Sequence, residues 1–204
     1  MTAPATRLEV SGLAVARGDR SVVEGLGFSV ATGEILHIRG RNGAGKTSLL
    51  EVLCGLRHPA AGRIASGPQP AELHWLGHKN GLNPALSAEE NLRFWCALNG
   101  QPRAAVDAVL EPALQRVGLK ALRHRPCGKL STGQRRRAAL ARLLALPRPW
   151  WFLDEPLAGL DQSGIELLTD LLEAHARGGG AVLLTSHQPL PERLPGVRLL
   201  DLAR

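Results

Sequence analysis

A glycine-rich segment, Gly40-Arg41-Asn42-Gly43-Ala44-Gly45-Lys46-Thr47, has the residue types and the spacing of a phosphate-binding loop. It fits the pattern G-x-x-x-x-G-K-[ST], in which backbone N–H groups surround phosphates while the lysine reaches the outer ones. Residues 34–39 before it are typical of a short strand, and residues 47–56 after it carry apolar residues at helical spacing. A strand, a glycine loop and a helix in this order aim the N-terminus of the helix at an anion. The segment therefore predicts a nucleotide site.

Two carboxylates, Asp154 and Glu155, directly follow the apolar run Trp150-Trp151-Phe152-Leu153. A buried strand that ends in Asp delivers a carboxylate to the edge of a sheet, where it can hold Mg²⁺ through water opposite the Thr47 hydroxyl. Glu155 is not needed for that task, so we expect it to orient or deprotonate an attacking water. An acidic pair at a strand end is also typical of a solvated turn, but the upstream phosphate loop favours the catalytic interpretation.

The composition is that of an ordinary globular domain of 204 residues, with 44% hydrophobic and 21% charged residues. No apolar run approaches the roughly 18 residues of a membrane span, so we expect a cytoplasmic protein. The net charge of +7 suggests a nucleic-acid or anionic membrane partner, whereas a compositional bias toward arginine explains it more simply. Because the basic residues are scattered and only 3% of residues are aromatic, we expect no nucleic-acid partner. The three cysteines are far apart and are expected to be small buried hydrophobes.

Alternating strands and helices, interrupted by a helical block, predict an α/β sheet with a small helical subdomain. Strand-like runs cover residues 8–15, 21–30, 63–66, 72–77, 181–186 and 197–202. Helical spacing covers residues 88–99, 103–117 and 162–177. We expect a single domain over residues 1–204, in which 1–81 and 146–204 form the nucleotide-binding core and 82–145 form the helical subdomain.

The segment Leu130-Ser131-Thr132-Gly133-Gln134 is, by itself, only a helix N-terminus with a serine cap. Between the phosphate loop and the Asp-Glu strand, however, it resembles the L-S-G-G-Q motif of ABC-type ATPases, with Thr132 in place of the first Gly. Ala158-Gly159-Leu160-Asp161 is similar to the D-loop of that family, and Thr185-Ser186-His187 to its switch histidine. The resemblance implies a P-loop NTPase fold, an ABC-type nucleotide-binding domain with an antiparallel β subdomain and a helical subdomain.

This resemblance implies that two copies of the domain close head-to-tail on two ATP molecules and hydrolyse them with Mg²⁺. The ATP phosphates would be held by the residues of the phosphate loop, namely Gly40, Arg41, Asn42, Gly43, Ala44, Gly45, Lys46, Thr47 and Ser48. Thr47 and Asp154 would hold Mg²⁺. Glu155 would polarise the attacking water, while Lys46 and His187 would act on the γ-phosphate. The second copy would contribute Ser131 and Gly133, and Asp161 would tie the two sites together. Gln134, next to this pair, is a further expected ATP contact.

Besides Thr132, two positions depart from the pattern of the family. Relatives usually carry an aromatic residue that stacks on adenine, and counting along the motif places Arg17 there. A guanidinium can stack on an aromatic face, so adenine over Arg17 or Arg20 is one interpretation and a solvated turn arginine is the other. In the Q-loop, where relatives carry Gln, the chain has His78, whose imidazole either senses the γ-phosphate or only shapes the loop.

Secondary motifs resemble one subgroup, the ATP-binding subunit of the cytochrome c maturation (Ccm) haem exporter. They are Gly77-His78, Glu90-Asn91-Leu92-Arg93-Phe94-Trp95 and Thr185-Ser186-His187-Gln188-Pro189-Leu190. The resemblance implies separate membrane-spanning subunits as partners, contacted by residues near 78–99, and a peripheral position on the cytoplasmic face of the bacterial inner membrane. Transport of haem and release of haem from a chaperone are both compatible with the sequence. His74, His78 and Cys96 are expected to have core or loop roles rather than to ligate haem.

Other functions compete with this one. Another single-domain bacterial transporter ATPase would share the ATPase motifs without the secondary ones. A soluble nucleic-acid-associated ATPase would suit the charge of +7, but such relatives usually carry a tandem domain or a long coiled-coil insertion. A non-hydrolysing regulatory module is disfavoured by the complete set of Lys46, Asp154, Glu155 and His187.

The run Arg135-Arg136-Arg137 follows the signature-like segment. We expect Arg135 and Arg136 to lie on a solvated helix face, as charge runs usually do. Arg137 and Arg142, in contrast, match arginines that are usual after this motif in the family.

Overall fold

The computed structural model describes residues 6–18, 20–194 and 196–202 of the chain. Within these ranges, eight strands and five α-helices are present. The strands are β1 (Arg7–Arg17), β2 (Arg20–Ala31), β3 (Ile35–Arg39), β4 (Ala61–Ser66), β5 (Leu73–Leu76), β6 (Trp150–Leu153), β7 (Ala181–Thr185) and β8 (Val197–Asp201). The helices are α1 (Lys46–Leu53), α2 (Ala88–Leu98), α3 (Arg103–Arg116), α4 (Thr132–Ala145) and α5 (Gln162–Arg177). Every predicted element is present, with some of the ends shifted.

A five-stranded parallel sheet has the order β5-β6-β7-β3-β8. Strands β6 and β7 are buried along their whole length, because parallel sheets are covered on both faces. Ile38 pairs with Thr185, and Leu153 pairs with Leu184, so β3, β6 and β7 end at the same edge of the sheet. Ligands of such sheets bind beyond the carboxyl ends of the strands. This edge therefore brings together the phosphate loop, the Asp-Glu pair and the switch-like segment.

A second sheet is antiparallel and has the order β2-β1-β4. Its buried residues, among them Leu8, Leu13 and Val30, belong to the same hydrophobic core as Leu49 of α1 and Phe152 of β6. The parallel sheet, the antiparallel sheet and the helices together confirm the predicted α/β P-loop fold with an antiparallel β part and a helical part.

The described chain divides into two compact units. The first contains both sheets and comprises the described residues up to Gly77, then Arg148–Pro156, and those from Thr169 onward. The second comprises His78–Pro147 and Leu157–Leu168, and within it α2, α3 and α4 pack on one another. It therefore includes a stretch after β6 that the sequence analysis assigned to the core. No helix in the described ranges is both long enough and apolar enough to span a membrane.

Candidate nucleotide site

The phosphate loop connects β3 to α1, and its backbone geometry depends on Gly45. This residue is the N-cap of α1 and has a φ of 93°, in the left-handed region. A Cβ atom at this position would lie 2.8 Å from Val22 Cγ2, so the loop packs on β2 too closely for a side chain. Among the described residues, no side chain caps this end of α1. The partial positive charge of the helix N-terminus consequently favours an anion at the loop.

Lys46, the first residue of α1, is hydrogen-bonded through its side chain to the start of this loop. Its side chain is buried, and its Nζ donates to the carbonyl oxygens of Gly40 at 2.8 Å and Arg41 at 3.3 Å. A buried ammonium is stable only when it is hydrogen-bonded or paired with an anion. The two carbonyl oxygens of the loop therefore stabilise the Lys46 ammonium in its buried position.

The two predicted Mg²⁺ ligands, Thr47 and Asp154, lie in direct contact. Thr47 Oγ1 donates to Asp154, 3.1 Å from Oδ1 and 3.0 Å from Oδ2. Hydroxyl and carboxylate oxygens are ligands that Mg²⁺ prefers, so the chemistry of this pair fits the metal. In the described ranges, no three His, Cys, Asp or Glu side chains form a cluster that could hold a metal by itself. Mg²⁺ would therefore need oxygens from substrate phosphates and water as well.

Glu155 has an unusual backbone conformation, which is stabilised by a hydrogen bond to a neighbouring side chain. It is the only non-glycine residue among those described with a left-handed φ, at 49°. This conformation costs about 1–2 kcal/mol for a residue with a Cβ atom. The N–H of Glu155 donates to Thr185 Oγ1 at 2.9 Å, and the same hydroxyl donates to Asp154 Oδ1 at 2.8 Å. The Thr185 hydroxyl is thus hydrogen-bonded to both Asp154 and Glu155 and fixes their positions relative to each other.

The predicted general base and the predicted γ-phosphate contact are neighbours. The backbone N–H of His187 donates to Glu155 Oε2 at 3.1 Å, and His187 Nε2 lies 3.3 Å from Glu155 Oε1. Glu155 is largely buried, whereas His187 is about half exposed. A carboxylate at this position can accept a proton from water, and an exposed imidazole beside it can reach an added phosphate group.

His37 and Thr185 contribute to this group, although the sequence analysis assigned no role in the site to either side chain. His37 lies in the middle of β3, is buried, and has its Nε2 3.3 Å from the carbonyl oxygen of Ser186. Burial lowers the pKa of His37, so the imidazole is neutral near pH 7 and can donate one N–H to that carbonyl. The signals were present: a polar residue inside an apolar strand, and a hydroxyl at the end of β7.

The signature-like segment begins α4 in the second unit. Ser131 Oγ accepts from the N–H of Gln134 at 3.1 Å, and Gln134 Oε1 accepts from the N–H of Ser131 at 3.0 Å. This reciprocal capping box confirms the expected serine cap. It also uses the Gln134 side chain locally. A Cβ atom at Gly133 would lie 2.9 Å from the carbonyl oxygen of Gly159, so the predicted D-loop packs directly on this turn.

Asp161 of the predicted D-loop is held by an arginine of α4. Arg137 Nη2 lies 2.6 Å from Asp161 Oδ1 and 2.6 Å from Ser163 Oγ. The Arg137 guanidinium holds the pKa of the Asp161 carboxyl below its usual value. Ser131, Gly133, Arg137 and Asp161 all line one cavity of about 560 Å³ within the second unit.

Arg17 and His78, the two residues expected to differ from the family at the adenine position and in the Q-loop, are both exposed. Arg17 is the last residue of β1 and is paired in register with Arg20 of β2. Arg20, together with Val22, lines a cavity of about 540 Å³ in the first unit. Because Val22 also packs beside Gly45, this cavity adjoins the phosphate loop. His78 is in a bend just after β5 and belongs to the second unit.

One expectation is wrong, since Arg136 is not on a solvated face. Its exposed fraction is 2%, and its Nη1 donates to Asn80 Oδ1 at 3.0 Å. Arg136 lies three and four residues before Ala139 and Leu140, which are fully buried, and residues at these spacings share one helix face. Arg135, in contrast, is partly exposed. The run of three identical residues concealed this periodicity.

Comparisons with known proteins agree with this geometry. A family profile described as "ABC transporter" matches residues 23–158. A Rhodobacter capsulatus protein named "Cytochrome c biogenesis ATP-binding export protein CcmA" is 46% identical over 97% of this chain and 88% of its own length. A Pseudomonas putida protein of the same name is 45% identical over 97% of both chains. A solved structure titled as a putative ABC transporter ATP-binding protein from Pyrococcus furiosus has a TM-score of 0.80 and 26% identity, covering 96% of this chain and 97% of its own.

Proposed function

The chain belongs to the ABC transporter family as an ATP-hydrolysing ATPase, and from this premise we propose that it powers the haem exporter of cytochrome c biogenesis. The relatives named for ATP-binding export in cytochrome c biogenesis support the proposal, because their similarity extends over 97% of the chain. The structural observation that supports ATP hydrolysis is the hydrogen-bonded group of Thr47, Asp154, Thr185 and Glu155 beside the phosphate loop. Transport of haem and release of haem from a chaperone are the two steps that hydrolysis could drive.

Hydrolysis would rest on positioning and charge rather than on covalent chemistry. The loop N–H groups and Lys46 hold the phosphates, and Thr47 and Asp154 hold Mg²⁺, which when bound neutralises charge on the outer phosphates. Glu155 orients the attacking water and accepts its proton, since its carboxylate is fixed by the backbone N–H of His187. The exposed imidazole of His187 then contacts the γ-phosphate.

A second copy of the chain would complete each ATP site. Ser131 and Gly133 begin a helix whose N-terminus suits an anion, and they line a cavity with Asp161. These groups belong to the second unit, whereas the phosphate loop belongs to the first. We propose that two chains pair head-to-tail, so that Ser131 and Gly133 of one copy meet the γ-phosphate held by the other.

Membrane-spanning subunits are proposed to dock on α2. Phe94 and Leu98 are 58% and 69% exposed, and at a spacing of four residues they lie on one helix face. They fall within residues 78–99, which the resemblance assigns to this contact. An apolar strip of this kind suits a protein partner. Such docking would place the chain peripherally on the cytoplasmic face of the bacterial inner membrane.

The substitution Glu155→Gln tests the proposal, with Glu173→Gln on α5 as the control because that residue pairs with surface Arg177. We expect Glu155→Gln to bind ATP within about threefold of wild type and to lose at least about 100-fold in hydrolysis, the scale of general-base catalysis. Maturation of cytochrome c should be lost in cells that carry only this variant. Normal cytochrome c in such cells would refute the exporter assignment, and unchanged hydrolysis would refute the role of Glu155.

A further inference from the structure

Two arginines of α4 donate to two consecutive residues of the segment 78–82. Arg136 Nη1 donates to Asn80 Oδ1 at 3.0 Å, and Arg142 Nη2 donates to the carbonyl oxygen of Gly81 at 2.6 Å. All four residues lie in the second unit. We call this set the arginine clamp. Its contacts join the stretch in which the chain enters the second unit to the helix that starts at Ser131.

The burial of Arg136 shows that this contact is more than a surface pair. A guanidinium with 2% exposure gives up its hydration, which is costly unless protein acceptors replace the water. An arginine needed only for solubility would remain exposed, as Arg116 at the end of α3 does. The hydrogen bond to Asn80 therefore helps to stabilise the charged guanidinium at this buried position.

The contact of Arg142 is fixed from two sides. Its guanidinium lies 6.0 Å from the ring centroid of Trp95 on α2, within the range of a cation–π interaction. Gly81 adopts a left-handed φ of 60°, and a Cβ atom there would lie 3.4 Å from Arg142 Nη1. The carbonyl of Gly81 thus points at a guanidinium that α2 also holds in place.

We propose that Arg136 and Arg142 are positioning residues that tie the segment 78–82 to the groups of Ser131 and Gly133. A helix is stiff over this distance, since Arg136 is five residues from Ser131 and the rise is about 1.5 Å per residue. A displacement of the segment therefore moves the N-terminus of α4 with it. The inference rests on the proposed function, in which Ser131 and Gly133 contact ATP held by a second copy.

The clamp gives the proposed membrane contact a route to the ATP site. Residues 78–99 are the proposed docking region, and the clamp begins two residues into it at Asn80. Force on this region would reach Ser131 through α4 without involving the phosphate loop. Loss of the clamp should accordingly weaken pairing of two copies on ATP while leaving the binding of ATP to one copy unchanged.

The test uses the full chain in the hydrolysis-deficient Glu155→Gln background. Dimerisation with Mg-ATP is measured by analytical ultracentrifugation, and ATP affinity is measured by equilibrium dialysis at protein concentrations below the dimer Kd. We expect Asn80→Ala to raise the dimer Kd about tenfold, the scale of one lost hydrogen bond to a charged group, with ATP affinity within about twofold. Asn80→Asp retains an acceptor for Arg136 and should restore dimerisation.

The matched control is Asn99→Ala, which removes an asparagine of the same unit whose amide donates to the Trp95 carbonyl outside the segment. It should leave the dimer Kd unchanged. The clamp is overturned if Asn80→Ala dimerises as well as its parent, if Asn99→Ala is equally impaired, or if ATP affinity and thermal stability fall together with dimerisation. If the Glu155→Gln parent itself fails to dimerise, the proposed two-copy site is overturned and the clamp inference with it.

Discussion

Replacing Thr185 by valine would remove one hydroxyl from the centre of the site while keeping a side chain of similar size. That hydroxyl donates to Asp154 Oδ1 at 2.8 Å and accepts from the N–H of Glu155 at 2.9 Å, and the residue is fully buried. Valine leaves the Glu155 N–H without its partner, at a cost of about 1–3 kcal/mol. It also removes a hydrogen bond to a charged group, worth about 1.5–3 kcal/mol. The left-handed backbone of Glu155 would then lose one of its restraints.

We expect the free energy of unfolding of Thr185→Val to fall by about 2–4 kcal/mol, because the two losses overlap. If the substitution also raises the free energy of the transition state for ATP hydrolysis by about 2 kcal/mol relative to bound ATP, kcat falls about 30-fold. The affinity for ATP should stay within about threefold, since Lys46 and the loop backbone are not touched. Urea unfolding and phosphate release at saturating Mg-ATP measure these quantities, at a temperature where the variant remains folded.

The control is Thr185→Ser, which retains the hydroxyl and loses only a methyl group. We expect its kcat to lie within about threefold of wild type. ATP hydrolysis by the valine variant at the wild-type rate would refute the role of the Thr185 hydroxyl, as would a serine variant that is as impaired as the valine variant.

Two further predictions concern stability. Burial lowers the pKa of His175 to about 4, so between about pH 6.5 and that value the unfolded chain binds more protons, and stability is lost as the pH falls. His175→Phe keeps a ring against Trp151, and between pH 7 and pH 4.5 it should lose less free energy of unfolding than the wild type does. His37, whose pKa burial also lowers, contributes part of the loss that remains. Urea unfolding at the two pH values measures this, and an equal loss in both proteins would contradict the assignment. Gly62→Ala should cost about 3 kcal/mol or more, because its Cβ would lie 2.2 Å from the Gly12 carbonyl oxygen. Gly55→Ala, with a similar φ and nothing within 4 Å of its Cβ, should cost only about 1 kcal/mol in the same assay; equal losses would show that φ alone decides.

Much of the fold could be predicted because its signals are local. The continuous apolar runs of β6 and β7 indicate strands covered on both faces, and both strands are entirely buried. The amphipathic pattern of residues 162–177 coincides with α5. Since a buried strand that ends in Asp delivers its carboxylate to the edge of the sheet, the sequence also predicts Asp154 opposite Thr47, and the two side chains are in contact.

The contacts within the site could not be predicted in the same way, since they depend on tertiary packing. No local pattern indicates that Glu155 adopts a left-handed φ, because that conformation is imposed by bonds to Thr185 and His187 on another strand end. His37 meets Ser186 only because β3 and β7 are neighbours in the sheet. A run of charges predicts a solvent-exposed Arg136, whereas its spacing from Ala139 and Leu140 places it on the buried face of α4.

Several of the arginines donate hydrogen bonds within the fold, which affects how the net charge should be interpreted when the competing functions are compared. Arg135 donates to the Leu130 carbonyl, Arg142 to that of Gly81 and Arg148 to that of Leu73, each in a loop or at a strand start. Carbonyl groups outside helices and sheets need hydrogen-bond donors. A guanidinium has five N–H groups and can donate several hydrogen bonds at once, whereas the ammonium of lysine has three N–H groups on a flexible chain. Arginines used in this way add to the net charge as much as free ones do. The charge of +7 is therefore weak evidence for a polyanionic partner, and the choice among functions rests on the site.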